Sequence, residues 1–310
     1  MNRTFKILGG LLVAQVLLAA VLWGVNRPQS KTAEPLLNID PAAVDQIEIA
    51  DADKTVELVL KEGRWQLPAL ADLPAAAGKV RQLIEKLAGF KPDWPETTTA
   101  ASHQRFELAE DHFQRRIKLA SAGQMQADLL VGTSPGFRKS HVRKAGDDAV
   151  YALEISAFDL PTQAVDWLDK HLLAVSELSR IQGPDYALWQ QDGIWQWHVE
   201  QWPDGAAPES DRLDASKAVE LAGALSSLSV LMPADPQEIP DTALTLSVQG
   251  QDDRVYRYRF WKQGEAHYVR RDDVAKTFVF SAFDFKRIAE ITQAELVQVQ
   301  QPSEPSEAGA

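Results

Sequence analysis

The amino-acid sequence predicts an α+β protein in which an N-terminal transmembrane helix precedes two homologous, largely antiparallel sheet-plus-helix domains in tandem. Three observations predict it. Residues Ile7 to Val25 form an apolar run broken only by Gln15. Val142-Arg143, an acidic turn, a short apolar strand and Ser156-Ala157-Phe158-Asp159 return as Val269-Arg270, an acidic turn, a strand and Ser281-Ala282-Phe283-Asp284, which marks a unit written twice. Around both copies apolar residues recur at period two in short runs and at three- and four-residue steps in one longer run, the marks of strands and of an amphipathic helix.

In chain order, residues 1–6 read as a cytoplasmic N-terminus and 7–25 as the membrane helix, since about 20 apolar residues cross the hydrocarbon layer. A cleaved signal would end in small residues, whereas this run ends Val21-Leu22-Trp23-Gly24-Val25. Arg3 and Lys6 before it nearly balance Arg27 and Lys31 after it, so charge alone does not orient the helix. The very short N-terminus favours the inside, and Trp23 suits the outer interface. The chain is then a single-pass protein of the bacterial inner membrane with a periplasmic C-terminal body. Residues 26–38, with Pro28 and Pro35, form a polar linker, and 300–310 a disordered tail with nothing to bury.

Residues 39–173 are the first repeat. Val44 to Ile49, Val56 to Leu60 and Gly63 to Leu67 read as three strands of a meander, with turns at Asp51 to Asp53 and Glu62-Gly63. Val80, Leu83, Ile84 and Leu87 then repeat at helical steps, while Lys79, Arg81, Gln82, Glu85 and Lys86 take the other face. Four strands follow, about Arg115 to Ala120, Gln126 to Val131, Ser140 to Lys144 and Ala149 to Leu153. A second helix is expected from Ser156, whose hydroxyl would cap it, through Trp167-Leu168 despite Pro161 in its first turns. Residues 174–299 repeat the order: Leu178 to Ile181 stands for Val44 to Ile47, Gly193 to Gln196 for Gly63 to Gln66, and Asp214 to Leu228 for the first helix.

Residues 1–31 hold four basic and no acidic side chains, leaving 28 basic against 44 acidic in the rest, a formal charge of −16. Such a surface repels nucleic acid and anionic head groups at long range, and no nucleic-acid partner is expected. The absence of cysteine excludes disulfides, thiolate metal sites and a cysteine-linked lipid.

Gly132-Thr133-Ser134-Pro135-Gly136 has the Gly-x-Ser-x-Gly spacing of a serine-hydrolase nucleophile elbow. That chemistry needs a helix straight after the serine, and here another strand follows, so a hairpin loop is the competing reading. His103, His112, His141, His171, His198 and His267 lack the i, i+4 spacing of a helical zinc site, and no metal or cofactor is expected. For His141 and His267, just before the matched Val-Arg pairs, the bland reading is a strand-end ring facing solvent. Arg254, Arg257, Arg259, Arg270 and Arg271 form the one basic cluster, with Tyr256, Tyr258 and Phe260 on the opposite strand face. This is either a patch for a protein or acidic ligand, or a solvated face paired with local carboxylates. Trp189, Trp195, Trp197 and Trp202 open the second repeat; Trp195, the counterpart of Trp65, and Trp197 share a strand face and suit a core, while Trp189 and Trp202 are candidates for exposure and for stacking on sugar rings. The candidate binding surface is therefore Trp189, Trp202, Arg257 and Arg259.

The framework residues carry a resemblance. The N-terminal anchor, Val44-x-x-Ile47-x-Ile49, Gly63-x-Trp65, the helix through Val80, Leu83 and Leu87, Phe106-x-Leu108, Leu130-x-Gly132, Val142-Arg143, Val150-Tyr151 and Asp166 to Leu173 resemble a bacterial family of unknown function. Its members are membrane-anchored and encoded beside gliding-motility-type ABC transporter components. The resemblance covers about residues 40–175, with a weaker echo over 176–297. Phe106-Glu107-Leu108 departs from it, because the family usually has an aromatic-Gly-Leu turn there. The resemblance assigns no catalytic residues. It implies an extracytoplasmic accessory role with inner-membrane ABC transporter subunits as partners. The expected function is accordingly a non-enzymatic interaction module of such a complex. A periplasmic glycan- or peptide-binding module is the alternative, and a serine hydrolase through Ser134 the remote one.

Overall fold

The computed structural model describes Gln15 and residues 34–203, 213–235, 238–251 and 253–298. The expected N-terminus at 1–6, membrane helix at 7–25, linker up to residue 33 and tail at 300–310 thus lie outside the described residues, Gln15 excepted. Among the described residues no helix is long and apolar enough to cross a membrane.

The chain opens with β1 (Gln46–Ala50), β2 (Thr55–Lys61), β3 (Arg64–Leu67), β4 (Leu73–Pro74) and α1 (Ala77–Ala88). Then come β5 (Leu108–Ala109), β6 (His112–Phe113), β7 (Arg115–Ser121), β8 (Gln124–Val131), β9 (Ser140–Lys144) and β10 (Val150–Leu153). The second half holds β11 (Leu178–Gln182), β12 (Ala187–Gln191), β13 (Ile194–Trp197), α2 (Ala215–Ser226), β14 (Val230–Pro233), β15 (Leu244–Gly250), β16 (Val255–Gln263), β17 (Ala266–Arg271) and β18 (Thr277–Phe280). Helices α3 (Ala282–Ile288) and α4 (Gln293–Leu296) close it. The fold is mixed α and β, with antiparallel sheets in two strand-rich regions.

Periodicity accounts for these elements. Val56 and Leu58, and Trp65 and Leu67, are buried at steps of two. On α1, Val80, Leu83, Ile84 and Leu87 are buried and all five expected polar residues are exposed. The tight turns Glu62-Gly63, Ala122-Gly123 and Asp192-Gly193 each put two successive residues at positive φ, the hairpin geometry that follows strand twist and that favours glycine second. Trp65 and Trp195, each two residues after such a glycine, are both buried.

By contacts the described residues form two compact units. One comprises Met1–Asp53, as far as described, with Gln82–Leu160. In it β10, β9, β8, β7 and β1 run side by side in antiparallel order. One face is mostly apolar, with Ile47, Ile49, Ile117, Leu119, Leu129 and Val142 buried. The other is split. Toward β1 it is polar, with Lys118 bonded to Glu48 at 2.7 Å and Arg116 held bidentately by Asp128 at 2.7 and 2.9 Å. Toward β10 it carries a second small core of Leu108, Leu130 and Val150, backed by Phe106 and Phe113. The segment holding β5 and β6 supplies that cover, and period-two alternation with one buried face did not predict it.

Two backbone features let this segment sit so close. Gly132 has no side chain because a β-carbon there would stand 2.0 Å from the Phe106 carbonyl oxygen and 2.6 Å from that of Glu107. Glu107 itself is left-handed at φ 55°. This is the position where the resembled family has glycine, and the geometry explains why glycine suits it. Glu107→Gly is expected to raise stability by up to about 1 kcal/mol, whereas Glu107→Ala should lower it, since alanine loses the 2.6 Å bond from Gln114 and keeps the strained φ. Urea unfolding of the pair reads the sign.

The expected helix from Ser156 to Leu168 is not formed; two 3₁₀ turns, Ala157–Asp159 and Ala164–Asp166, stand in its place. Ser156 does cap, in a reciprocal box with Asp159. Pro161 then ends the run, because its ring disfavours helical backbone at Leu160, which adopts φ −126° and ψ 57°. Ser281 caps the same motif without a following proline, and there α3 continues to Ile288.

The other unit comprises Lys54–Arg81 and, as far as described, Pro161–Ala310. It holds the antiparallel meander β2-β3-β4 and an eight-stranded antiparallel sheet, β13-β12-β11-β15-β16-β17-β18-β14. Its run β11-β15-β16-β17-β18 has the same succession as β1-β7-β8-β9-β10. The hub of this unit is Asp166 to Leu173. Ala76 N–H donates to the Trp167 carbonyl at 2.8 Å and Asp169 N–H to that of Pro74 at 2.9 Å, so the stretch bridges to β4. Val230 N–H donates to the Lys170 carbonyl at 2.8 Å and the Lys170 ammonium to the Leu231 carbonyl, which ties it to β14. Burial lowers the pKa of that ammonium. The Leu173 carbonyl accepts from the Tyr258 hydroxyl at 2.5 Å and from Arg271 at 2.9 Å.

Burial pushes the Tyr258 phenol up to about 12 and that of Tyr186, fully buried, up further still. Above the ordinary phenol value near 10 the unfolded chain sheds protons that the folded chain keeps, so stability falls as pH rises from there toward the folded values. Urea midpoints should therefore drop between pH 10 and 12, with a slope approaching roughly 1.4 kcal/mol per pH unit for each phenol. Tyr258→Phe should flatten that decline.

Candidate functional site

The outer face of the eight-stranded sheet is set by cross-strand register. Directly opposed residues share a face, so Gln182, Ser247 and Arg257 form one row across β11, β15 and β16. Thr245, Arg259 and Arg270 form the next. Arg259 is paired with Asp272 at 2.9 Å and Arg180, on the same face, donates to Gln201 at 2.5 Å. The Arg257 side chain is exposed and has no bonding partner among the described residues. It lines an open groove of about 690 Å³ with Gln182, Gly183, Thr242, Ser247 and Arg259. Gly183 in its wall must be glycine, since a β-carbon would meet the ring of buried Tyr186 at 2.4 Å.

Alternation holds for Arg257, Arg259 and Arg270, which lie opposite the aromatic face, and fails for Arg271. Adjacent residues of a strand cannot point the same way. Arg271 pairs with Tyr258 on the inner face and is buried. Its guanidinium is held by both carboxylate oxygens of Asp273, at 2.5 and 3.1 Å, and lies over the rings of Tyr256 and Tyr258. Arg143 of the earlier Val-Arg pair is buried as well, bonded to the Leu108 and Asp147 carbonyls at 2.8 and 3.1 Å and to Glu110 at 2.9 Å. Both are structural, and nothing in the strand pattern separates them from surface arginines.

The four residues of the candidate surface do not converge. Trp189 lies half-buried on the outer face, opposite Arg180 and Gln196 and edge-on to His198 at 5.3 Å. Three strand spacings, roughly 14 Å, separate β12 from the β16 arginines. Trp202 is half-buried against Trp197, ring centroids 5.4 Å apart, and Trp197 pairs with inward Leu188. Arg257 and Arg259 alone share one groove.

Ser134 lies exposed in the loop between β8 and β9, and its hydroxyl donates to the Gly136 and Lys139 carbonyls at 2.7 and 2.6 Å. A turn and a strand follow it rather than a helix, so its Gly-x-Ser-x-Gly spacing comes from the close approach at Gly132 and a hairpin. His141 is not a solvent-facing ring: it is buried, 4.1 Å from the Phe106 ring, with Nδ1 2.9 Å from the Thr133 hydroxyl. Among the described residues no group of three or more His, Asp or Glu side chains is placed to hold a metal ion.

No curated protein and no solved structure matches this chain. A family model described as a domain of unknown function, DUF4340, matches residues 65–245. That span opens at Trp65 and takes in α1, Gly132, Arg143 and the Asp166 to Leu173 hub. It covers more than half of the sequence, and the chain belongs to the DUF4340 family.

Proposed function

We propose that this protein is a membrane-anchored, extracytoplasmic accessory protein that binds subunits of an ABC-type transport complex in a bacterial inner membrane and catalyses no reaction. Residues 7–25 are the anchor, and two copies of one ancestral sheet-plus-helix unit form the periplasmic body. The matching strand successions and the twice-used Ser-Ala-Phe-Asp cap support the duplication. One observation carries the binding role. Arg143 and Arg271 are bonded into their own units, while Arg257 faces an open polar groove without a partner among the described residues. An exposed guanidinium on a rigid sheet suits a carboxylate of a partner polypeptide.

Tagged protein purified from gently solubilised membranes should bring transporter subunits with it, and Arg257→Glu should reduce their yield. Reproducible absence of any such subunit from the unaltered protein would count against the reading. The alternative, a glycan- or peptide-binding module, draws on half-exposed Trp189, which lies on the same outer face as Arg257. If Trp189→Ala and Trp202→Ala left every measured glycan affinity unchanged, that alternative would lose its motive.

A further inference from the structure

We infer that one end of the first unit's sheet rests on the phospholipid surface, with Trp94, Phe137 and Phe158 as its contact residues. The inference rests on the proposed anchoring of residues 7–25 and names what that anchor brings the body against.

These rings are 86 %, 86 % and 97 % exposed, in a unit whose other large apolar side chains are mostly buried. Their neighbours along the chain line one open cavity of about 440 Å³, whose lining includes Lys86, Lys91, Asp93, Lys139 and Glu154. Trp94 directly follows Asp93, Phe137 precedes Lys139 in a turn closed by the Gly136–Lys139 bridge, and Phe158 precedes Asp159, which pairs with Lys86 at 3.0 Å. All lie at one end of the sheet, where Leu153 of β10 pairs with Ser140 of β9. In the repeated Ser-Ala-Phe-Asp motif the serine and aspartate make the cap, so exposed Phe158 has no part in it.

The chain's path supplies the occupant. Leu36 N–H donates to the Phe90 carbonyl at 2.8 Å, and Phe90 lines this cavity. From Val25, the end of the apolar run, to Leu36 is a span that even a fully extended chain keeps within roughly 40 Å. With residues 7–25 in the bilayer as proposed, this tether attaches at this end of the sheet and holds it within that reach of the membrane. Tryptophan and phenylalanine interleaved with Lys86, Lys91, Arg138 and Lys139 suit the headgroup region, where ring bodies leave water and cationic tips meet phosphate. Asp93, Glu154 and Asp159 offset part of that charge, and the body as a whole is acidic. Free association with lipid would thus be weak, and the tether replaces affinity with a high local concentration.

The test uses the full chain in vesicles of phosphatidylethanolamine and phosphatidylglycerol. Because the sequence has no cysteine, single sites take an environment-sensitive fluorophore: Trp94→Cys, Phe137→Cys, Phe158→Cys, the control Met125→Cys and, in the anchor, Leu12→Cys. Met125 is 60 % exposed near the start of β8, roughly 20 Å of strand from the loop that carries Phe137. Expected are blue-shifted emission, quenching by spin-labelled lipid and loss of iodide quenching at 94, 137 and 158, with the 125 label open to iodide. Phe137→Asp combined with Phe158→Asp should return the 94 label to iodide while the Leu12 label stays in lipid. Labels at 137 and 158 that behave like the 125 label, with Leu12 in lipid, overturn this inference and leave the anchored reading standing. A Leu12 label open to iodide overturns both.

Discussion

Gly132→Ala should destabilise the first unit by about 3 kcal/mol or more, at the upper end of what overpacking costs. The reason is the nature of the neighbours. A methyl group 2.0 Å from one carbonyl oxygen and 2.6 Å from the next meets backbone, which cannot rotate away as a side-chain tip would. Either the segment carrying Phe106 and Glu107 lifts off β8 or the strand bends. Lifting would open the core of Leu108, Leu130 and Val150 and break the bond from Thr133 N–H to the Phe106 carbonyl at 2.9 Å. Urea unfolding would measure the loss, and hydrogen exchange should show Thr133 and Leu108 amides losing protection first. Full retention of stability would mean that the segment does not pack on Gly132. Ser134→Ala, by contrast, removes only loop hydrogen bonds from an exposed hydroxyl and should cost about 1 kcal/mol or less.

Trp167→Ala should cost about 4 kcal/mol, the range for emptying a fully buried tryptophan site. Its indole N–H donates to the Pro161 carbonyl at 2.9 Å, and the Lys79 ammonium lies 4.5 Å from the ring centroid while bonding the Asp166 carbonyl at 2.9 Å. The ring thus anchors the hub that connects to β4, β14 and Tyr258. Trp167→Phe keeps most of the apolar volume and drops the hydrogen bond, so it should lose less than half as much. Comparable losses for both variants would show that the hydrogen bond, and not the packed ring, holds the hub.

Most strands and both long helices were legible because each has one buried face, and a buried face writes its period into the chain. The readings that failed share a cause. The helix expected after Ser156 has its cap but is stopped by Pro161, a local conflict whose outcome depends on whether later packing rewards continuation; α3 shows the same cap without the proline. Arg271 reads as one of a surface cluster because sequence does not carry what covers the inner face of its strand. Trp189 and Trp202 stand 13 positions apart, and the fold puts one on the outer face and packs the other against Trp197, which faces inward with Leu188.

Composition and periodicity alone were enough for the α+β class, the positions of most strands and the cap at Ser156, since each depends on a residue and its near neighbours along the chain. The second core over Gly132, the hub at Asp166 to Leu173 and the groove at Arg257 arise where segments dozens of residues apart meet. Such meetings depend on strand order and register across a sheet, quantities that no window of the sequence contains.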